Sequence, residues 1–188
     1  MENNVSSFET KLFKGRPAEM PCTEMENRVY DFLDSLNIDY ETLKHPAAFT
    51  IEECHKIRDI VNVPVFKNLF LTNKQQTQFY LLLMPGEKVF KTKYLSAQIG
   101  AARLSFADEN HMMKYLGVTP GSVTPMGLIN DTNKEIRFLI DEDVKNYPAF
   151  ACHPCINSAS VVMTLKDLTE TVIPASGHGI QWVTLPWE

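Results

Sequence analysis

The chain has 188 residues, of which 44% are hydrophobic and 22% are charged, the proportions of an ordinary globular protein. This length predicts one domain with enough chain for a sizeable core. A formal net charge of −5 argues against a protein that coats nucleic acid through bulk charge. No apolar run is long enough to cross a bilayer, and residues 1–7 lack the basic start and apolar stretch of a signal peptide. The sequence therefore predicts a cytoplasmic protein with no membrane partner.

Two Thr-x-x-Glu capping boxes mark the starts of predicted helices, one over residues 24–37 and one from residue 51 to about residue 60. The segment before them, 1–22, shows no periodicity, and it is predicted to be a loosely held N-terminal arm. A strand is expected between the two helices, over 38–43.

Two apolar runs around a polar turn then predict a hairpin over 65–72 and 77–84, in a sheet with both faces covered. The later predicted elements are a helix over 94–102, a strand over 104–106, a helix over 108–116, strands over 126–129, 135–140, 150–152 and 160–165, and a helix from 166. This mixture predicts the α/β class (mixed α+β): a single domain with a mixed, mostly antiparallel sheet flanked by helices. The domain would span 23–178, and 179–188 would be a C-terminal tail.

The segment 117–130 concentrates residues that shape the backbone, with three of the eight glycines and two of the eleven prolines. Glycine permits backbone angles that other residues resist, whereas proline fixes φ and removes an N–H donor. A rigid loop with exposed N–H groups suits a small polar ligand or a developing negative charge. A helix C-cap at Gly117 followed by two ordinary turns explains the same residues and stays open.

Lys67 and Asn68 are adjacent polar residues in an otherwise apolar strand, so they point to opposite faces of the sheet. At least one is expected to face inward or into a cleft. A buried lysine is costly unless it is paired or faces a ligand anion. The alternative is an edge strand with Lys67 in water.

A second polar cluster, His153, Asn157, Ser158 and Ser160, lies in one tight connection between two strands. These residue types hold a hydroxyl-rich ligand or orient a water, although an ordinary turn uses the same residues to satisfy the backbone. His45, next to Pro46, is a weaker candidate.

Cysteine and lysine patterns carry less weight. Cys152 and Cys155 have the Cys-x-x-Cys spacing of redox motifs, but they lie late in the chain and precede a β-prone segment, which disfavours a redox role. Zinc is disfavoured because no second pair has suitable spacing. The basic residues Lys88, Lys91 and Lys93 predict either a small docking patch or solvated lysines around a turn.

Five stretches occur in an order that resembles one family. They are His45-Pro-Ala-Ala-Phe-Thr50, Lys67-Asn-Leu-Phe-Leu71, Leu104-Ser-Phe106, the segment 117–131, and His153-Pro-x-x-Asn157-Ser-Ala-Ser160. They resemble the YbaK/ProX family of aminoacyl-tRNA deacylases, specifically the ProX branch, which is similar to the editing domain inserted in some prolyl-tRNA synthetases. The resemblance covers roughly residues 24–178. Ser158 and Ser160 stand where threonines are usual, which keeps the hydroxyls but could alter the size of the pocket.

The resemblance implies hydrolysis of alanine wrongly esterified to proline tRNA, without a metal or organic cofactor. The implied partner is the acceptor end of that tRNA, with prolyl-tRNA synthetase as a further partner to test. The implied catalytic residues are Lys67, Asn68, Gly121 and His153, with Lys67 and Asn68 near the terminal adenosine. The implied substrate-binding residues are His45, Thr50, Ser122, Thr124, Pro125, Met126, Asn157, Ser158, Lys88, Lys91 and Lys93.

The chemistry of an aminoacyl ester fits this set, because an activated ester needs positioning, a water and oxyanion stabilisation rather than a strong nucleophile. A proline site rejects the smaller alanine by only about 1–3 kcal/mol, so a second pocket that admits alanine and excludes the proline ring is useful. Three other hypotheses stay open: a deacylase for another small amino acid such as cysteine or serine, a non-catalytic tRNA- or synthetase-binding module, and a thiol–disulfide protein.

Overall fold

The computed structural model describes residues 11–48, 51–101 and 103–187, apart from the side chains of residues 51, 52 and 54. The strands in these ranges are β1 Leu12–Lys14, β2 Glu41–Lys44, β3 Lys67–Asn73, β4 Phe79–Met84, β5 Leu104–Phe106, β6 Ile136–Asp141, β7 Ala149–Cys152, β8 Ala159–Thr164 and β9 Ile180–Val183. The longer helices are α1 Glu24–Ser35, α2 Ile51–Val61 and α3 Thr92–Ile99. Shorter helical segments cover Glu109–His111, Met112–Leu116, Pro125–Asn130, Glu142–Asn146, Leu165–Asp167, Leu168–Val172 and Ile173–Ala175.

The predicted fold class is confirmed, but the strands divide into two sheets. One has the order β1-β2-β8-β7 and the other the order β5-β3-β4-β6-β9. Five strand pairings are antiparallel, and the two parallel ones join β4 to β6 and β6 to β9. An isolated parallel bridge joins Val65, shortly before β3, to Ala151 of β7.

The first helix starts where its capping box predicts. The Thr23 hydroxyl accepts a hydrogen bond from the Glu26 N–H at 3.2 Å, and the Glu26 carboxylate accepts one from the Thr23 N–H at 2.8 Å. The helix ends at Ser35 rather than at residue 37. Its apolar face buries Val29 and Leu33 completely, as its periodicity predicts.

The predicted hairpin is confirmed as β3 and β4, and it is covered on both faces. Phe70 and Leu81 belong to one buried cluster, whereas the neighbouring Leu71 and Tyr80 belong to another. Side chains alternate across a strand, so a nearly continuous apolar run fills both clusters.

Three predictions about local structure are wrong. The supposed arm contributes Leu12–Lys14, an edge strand paired with β2. The supposed tail contributes Ile180–Val183, which pairs in parallel with β6. Short strands have little periodicity of their own, so only the open sheet edges beside them decide their conformation.

The third wrong prediction is the strand over 126–129, because Pro125–Asn130 is a 3₁₀ helix. The Thr124 hydroxyl accepts a hydrogen bond from the Met126 N–H at 3.3 Å, and Pro125 occupies the first helical turn. A Thr cap followed by proline at the first helical position is a helix start, and it outweighs the β-prone residues that follow.

Candidate active site

Residues from both sheets line a cavity of about 320 Å³. Asn68 from β3, His153 after β7 and Gly121 from the 117–130 loop contribute its polar positions, together with Ser160 from β8. Most of the remaining wall is apolar. The structure thus brings together three of the four predicted catalytic residues from widely separated parts of the chain.

Asn68 presents a buried acceptor to this region. Its side-chain amide donates a hydrogen bond to the Phe66 carbonyl at 3.2 Å, and its Oδ1 atom is buried without a partner in the described part of the chain. A buried unpaired acceptor costs about 1–3 kcal/mol. Such an atom is well suited to a ligand N–H or O–H group.

Lys67 lies on the opposite face of β3, as strand alternation requires, and it does not line the cavity. Its ammonium donates a hydrogen bond to the Lys88 carbonyl at 2.7 Å. The side chain is half-buried, so neither fully inward burial nor a free edge-strand lysine describes it. A direct catalytic role for Lys67 inside the cavity therefore does not fit its position.

The cavity wall formed by Pro120, Gly121 and Val123 is a tight turn. The Ser122 N–H donates to the Thr119 carbonyl at 3.0 Å, and Gly121 has a φ of 87°. Proline at the second position and a positive-φ glycine at the third are the pattern of a type II turn. Within the described chain the Gly121 and Val123 N–H groups have no hydrogen-bond acceptor.

Four predicted substrate-binding residues of this loop support the wall from behind. Ser122, Thr124, Pro125 and Met126 are buried and do not line the cavity, so their direct contact with a ligand does not fit their placement. The Thr124 hydroxyl donates to the His153 carbonyl at 2.7 Å. This hydrogen bond joins the loop to the histidine turn.

His153 has a defined orientation. Its Nδ1 atom lies 2.9 Å from the Ala159 carbonyl, which can only accept, so Nδ1 carries the proton in the neutral ring and Nε2 keeps its lone pair. Burial lowers the pKa of His153 below its usual value. The ring is therefore neutral at neutral pH and offers an acceptor for a water proton.

His45 lies behind Ser160 rather than on the cavity surface. Its Nδ1 atom is 2.8 Å from the Pro46 carbonyl, which leaves Nε2 to accept a hydrogen bond from the Ser160 hydroxyl at 2.9 Å. Burial is the main reason that the pKa of His45 is lowered to about 4. No local motif predicts this serine–histidine pair, because its two residues are 115 positions apart in the chain.

The Asn157 and Ser158 carbonyls organise the His45 segment. They accept hydrogen bonds from the Ala48 N–H at 3.1 Å and the His45 N–H at 3.0 Å. Neither residue lines the cavity, so direct substrate binding by their side chains does not fit their placement. Thr50, another predicted binding residue, lies outside the described residues.

Lys88 was predicted to belong either to a basic docking patch or to a group of solvated lysines, and both predictions are wrong. Its side chain is fully buried and its ammonium lies 2.7 Å from Asp141 and 2.6 Å from Asp143. It also donates to the Leu185 carbonyl at 2.6 Å. A lysine beside exposed lysines in sequence is internal here because β6 and the C-terminal segment supply its partners. Lys91 and Lys93 are exposed.

The two cysteines of the Cys-x-x-Cys pair are buried, and burial raises the pKa of both Cys152 and Cys155 to about 12. Protonated thiols are poor nucleophiles. Cys152 contributes to the cavity wall, which gives it a packing role that the spacing alone does not reveal.

Several wall residues were not predicted. They are Phe66, Leu69, Phe70, Phe106 and Met112. Apolar side chains carry no chemical pattern that separates a cavity wall from an ordinary core. Phe106 was part of a recognised motif, but its exposure of 61% is visible only in the structure.

Comparison with known proteins identifies the family of the chain. Residues 45–171 match the family model for the aminoacyl-tRNA editing domain. The chain is 38% identical over 154 residues to the prolyl-tRNA editing protein ProX of Acetoanaerobium sticklandii, covering 81% of this chain and 93% of that protein. It is 31% identical over 153 residues to prolyl-tRNA synthetase associated domain-containing protein 1 of Danio rerio, covering 80% and 83%.

A solved structure of a candidate trans-editing enzyme for prolyl-tRNA synthetase superposes with a TM-score of 0.67 at 18% identity, covering 88% of this chain and all of that one. At that identity the likeness shows the fold alone. The family match and the curated relatives carry the assignment: the chain belongs to the aminoacyl-tRNA editing domain family. Within it, the resemblance to the ProX branch is confirmed. No helix in the described ranges has the length and apolar character needed to span a membrane.

Proposed function

We propose that this protein hydrolyses alanine from mischarged proline tRNA, using the cavity of Asn68, Gly121 and His153 as its active site. The observation that carries the proposal is the meeting of these three polar positions in one largely apolar cavity, in a chain of the editing-domain family. The tRNA acceptor end is the substrate, and the ester is the reacting group.

Hydrolysis needs a positioned water. The His153 Nε2 atom has its lone pair free, because Nδ1 is held on the Ala159 carbonyl. A water held by Nε2 attacks the ester carbonyl carbon as its proton passes to the ring. The carbon–oxygen ester bond then breaks, and the ribose oxygen takes up the proton. A neutral imidazole suits this role at neutral pH.

The negative charge that develops on the carbonyl oxygen needs donors that are already in place. The Gly121 and Val123 N–H groups have no acceptor among the described residues, and their residues line the cavity. We assign them as the oxyanion donors. The Asn68 Oδ1 atom, buried and unpaired, is assigned to the ammonium group of the alanyl moiety.

Size discrimination comes from the stiffness of the wall. The Pro120–Gly121 turn is fixed by its own hydrogen bond and by the contact between Thr124 and His153. A wall that cannot move excludes a proline ring while admitting a methyl group, which is the second half of a double sieve.

The test is deacylation of proline tRNA charged with alanine or with proline by the pure protein. Rapid release of alanine with little release of proline is expected, and equal hydrolysis of both contradicts the sieve. Serine- and cysteine-charged tRNAs belong in the panel because Ser160 places a hydroxyl on the cavity wall. A preference for serine or cysteine would change the proposed amino-acid specificity but not the proposed deacylation reaction.

A variant series separates catalysis from binding. Asn68→Ala is expected to reduce turnover, whereas Lys67→Ala, outside the cavity, is expected to raise KM for tRNA more than it lowers kcat. A non-catalytic tRNA- or synthetase-binding module is the alternative. It predicts that pure wild type binds the tRNA and releases no amino acid, with or without added prolyl-tRNA synthetase.

A further inference from the structure

Phe106 is the exposed aromatic residue of the cavity. The residue is 61% exposed, the largest value among the exposed large hydrophobic residues of the described chain. It also lines the cavity that holds Asn68, Gly121 and His153. An aromatic ring that stays exposed on the wall of a candidate site is available to stack on a ligand bound there.

The ring is held in place rather than mobile on a loop. Phe106 ends the edge strand β5 and lies opposite Leu71 of β3. The next N–H, that of Ala107, donates to the Phe70 carbonyl at 2.9 Å. Phe90 packs against it edge-to-face, with centroids 6.2 Å apart and planes at 67°. More than half of the surface of Phe106 nevertheless stays open to a partner.

Exposed basic residues lie close to Phe90 and Phe106 in the sequence, although the whole chain is acidic. Lys91 follows Phe90 directly, and Arg103 immediately precedes β5; both are exposed. Neither forms an ion pair with a described carboxylate. Lys67 lies on the face of β3 that also carries Leu71, and among the described residues its ammonium donates only to a neutral carbonyl. An exposed aromatic ring, with unpaired cationic side chains nearby in the sequence, fits a base that is joined to phosphates.

We propose that Phe106 is the stacking platform for the terminal adenine of the tRNA. The inference rests on the proposed function, because an aminoacyl ester placed in the cavity leaves its nucleoside base at the mouth. Phe106 is then a positioning residue, which binds the base while Asn68, Gly121 and His153 act on the ester. Base stacking on an aromatic ring is sequence-tolerant, so this contact supplies affinity, and selection of the tRNA lies elsewhere.

The first experiment compares wild type, Phe106→Ala, Phe106→Trp and Met113→Ala on alanine-charged proline tRNA. Met113 is the matched control, because it is 52% exposed and does not line the cavity. Phe106→Ala is expected to raise KM roughly 5- to 150-fold, the range for loss of one stacked base, with little change in kcat. Phe106→Trp restores KM, and Met113→Ala leaves it unchanged.

The second experiment does not depend on hydrolysis. Calorimetry measures binding of a short RNA that ends in adenosine and of the same RNA with an abasic 3′ residue. Wild type is expected to prefer the adenosine end, and Phe106→Ala to bind both equally. If wild type is active and Phe106→Ala has the same KM, the stacking inference is wrong and the proposed function is unaffected.

If wild type hydrolyses no charged tRNA yet shows the adenosine preference, the proposed reaction fails and the stacking site stands. If Phe106→Ala instead changes the oligomeric state in light scattering and leaves RNA binding intact, the exposed ring is a contact between two copies of the chain, and the inference is wrong.

Discussion

The hydroxyl of Ser160 donates a hydrogen bond to Nε2 of His45 at 2.9 Å, and Ser160 lines the proposed active site. The pair has the appearance of a nucleophile with its base. The base is weak, however, because the pKa of His45 is lowered to about 4. A general base works best with a pKa near the operating pH, so the pair is better explained as a polar part of the wall.

Ser160→Ala tests this interpretation. We expect a loss of less than about tenfold in kcat, since one neutral hydrogen bond contributes about 0.5–1.5 kcal/mol. Ser35→Ala, at the exposed end of α1, is the control and leaves kcat unchanged. A loss of a thousandfold or more, together with an alanyl–enzyme adduct in wild type by mass spectrometry, would establish Ser160 as a nucleophile.

Acid should destabilise the folded protein through His45. The folded pKa of about 4 lies below the usual histidine value, so the unfolded state binds the proton first as the pH falls. The contribution of the neutral ring is complete above about pH 6.5 and is lost progressively down to about pH 4. Urea unfolding of wild type between pH 7 and pH 4 should therefore show a falling free energy. His45→Gln should show a shallower fall, and an identical slope would contradict the assignment.

His153 gives the corresponding prediction for activity. Burial lowers its pKa, so the neutral ring needed to accept a proton persists to below the usual titration range of histidine. The rate of deacylation should stay constant from about pH 8 to about pH 6.5 and decline at lower pH, where the ring becomes protonated. His153→Ala should abolish this acid limb along with most of the activity. Retention of the limb in the variant would mean that another group titrates.

Gly121 and Gly100 form a matched pair, because both have a positive φ, of 87° and 63°. Alanine at either position should cost about 1–2 kcal/mol in the free energy of unfolding, through strain in the left-handed region. Only Gly121→Ala should also reduce kcat, since it shifts the proposed oxyanion donors. Thermal melts and deacylation rates check this, and equal activity of the two variants would remove the loop from the mechanism.

Lys88 should contribute to stability rather than to tRNA binding. Lys88→Met leaves the fully buried Asp141 carboxylate without its cation, and we expect a loss of about 3–5 kcal/mol in the free energy of unfolding. Lys91→Met, at an exposed position, should change stability by less than about 0.5 kcal/mol. It should instead weaken tRNA binding and reduce its salt dependence. Reversal of the two phenotypes would restore the docking role of Lys88.

Local signals determined much of the fold. The capping box of Thr23 and Glu26, the apolar runs of β3 and β4 and the left-handed cap at Gly117 each act over a few residues, so they are legible in the sequence. The motifs around Asn68, Gly121 and His153 likewise identified the family, and these three residues do meet in one cavity.

Tertiary structure decided what depends on distant partners. Leu12–Lys14 and Ile180–Val183 form strands because they pair with β2 and β6 at open edges of the two sheets. The sequence cannot specify that Lys88 meets Asp141, 53 positions away, or that Asn68 rather than Lys67 lines the cavity. The exposure of Phe106 likewise depends on which distant segments pack around it. Burial and ion pairing are relations between segments far apart in the chain, whereas caps, turns and periodicity are relations between neighbours.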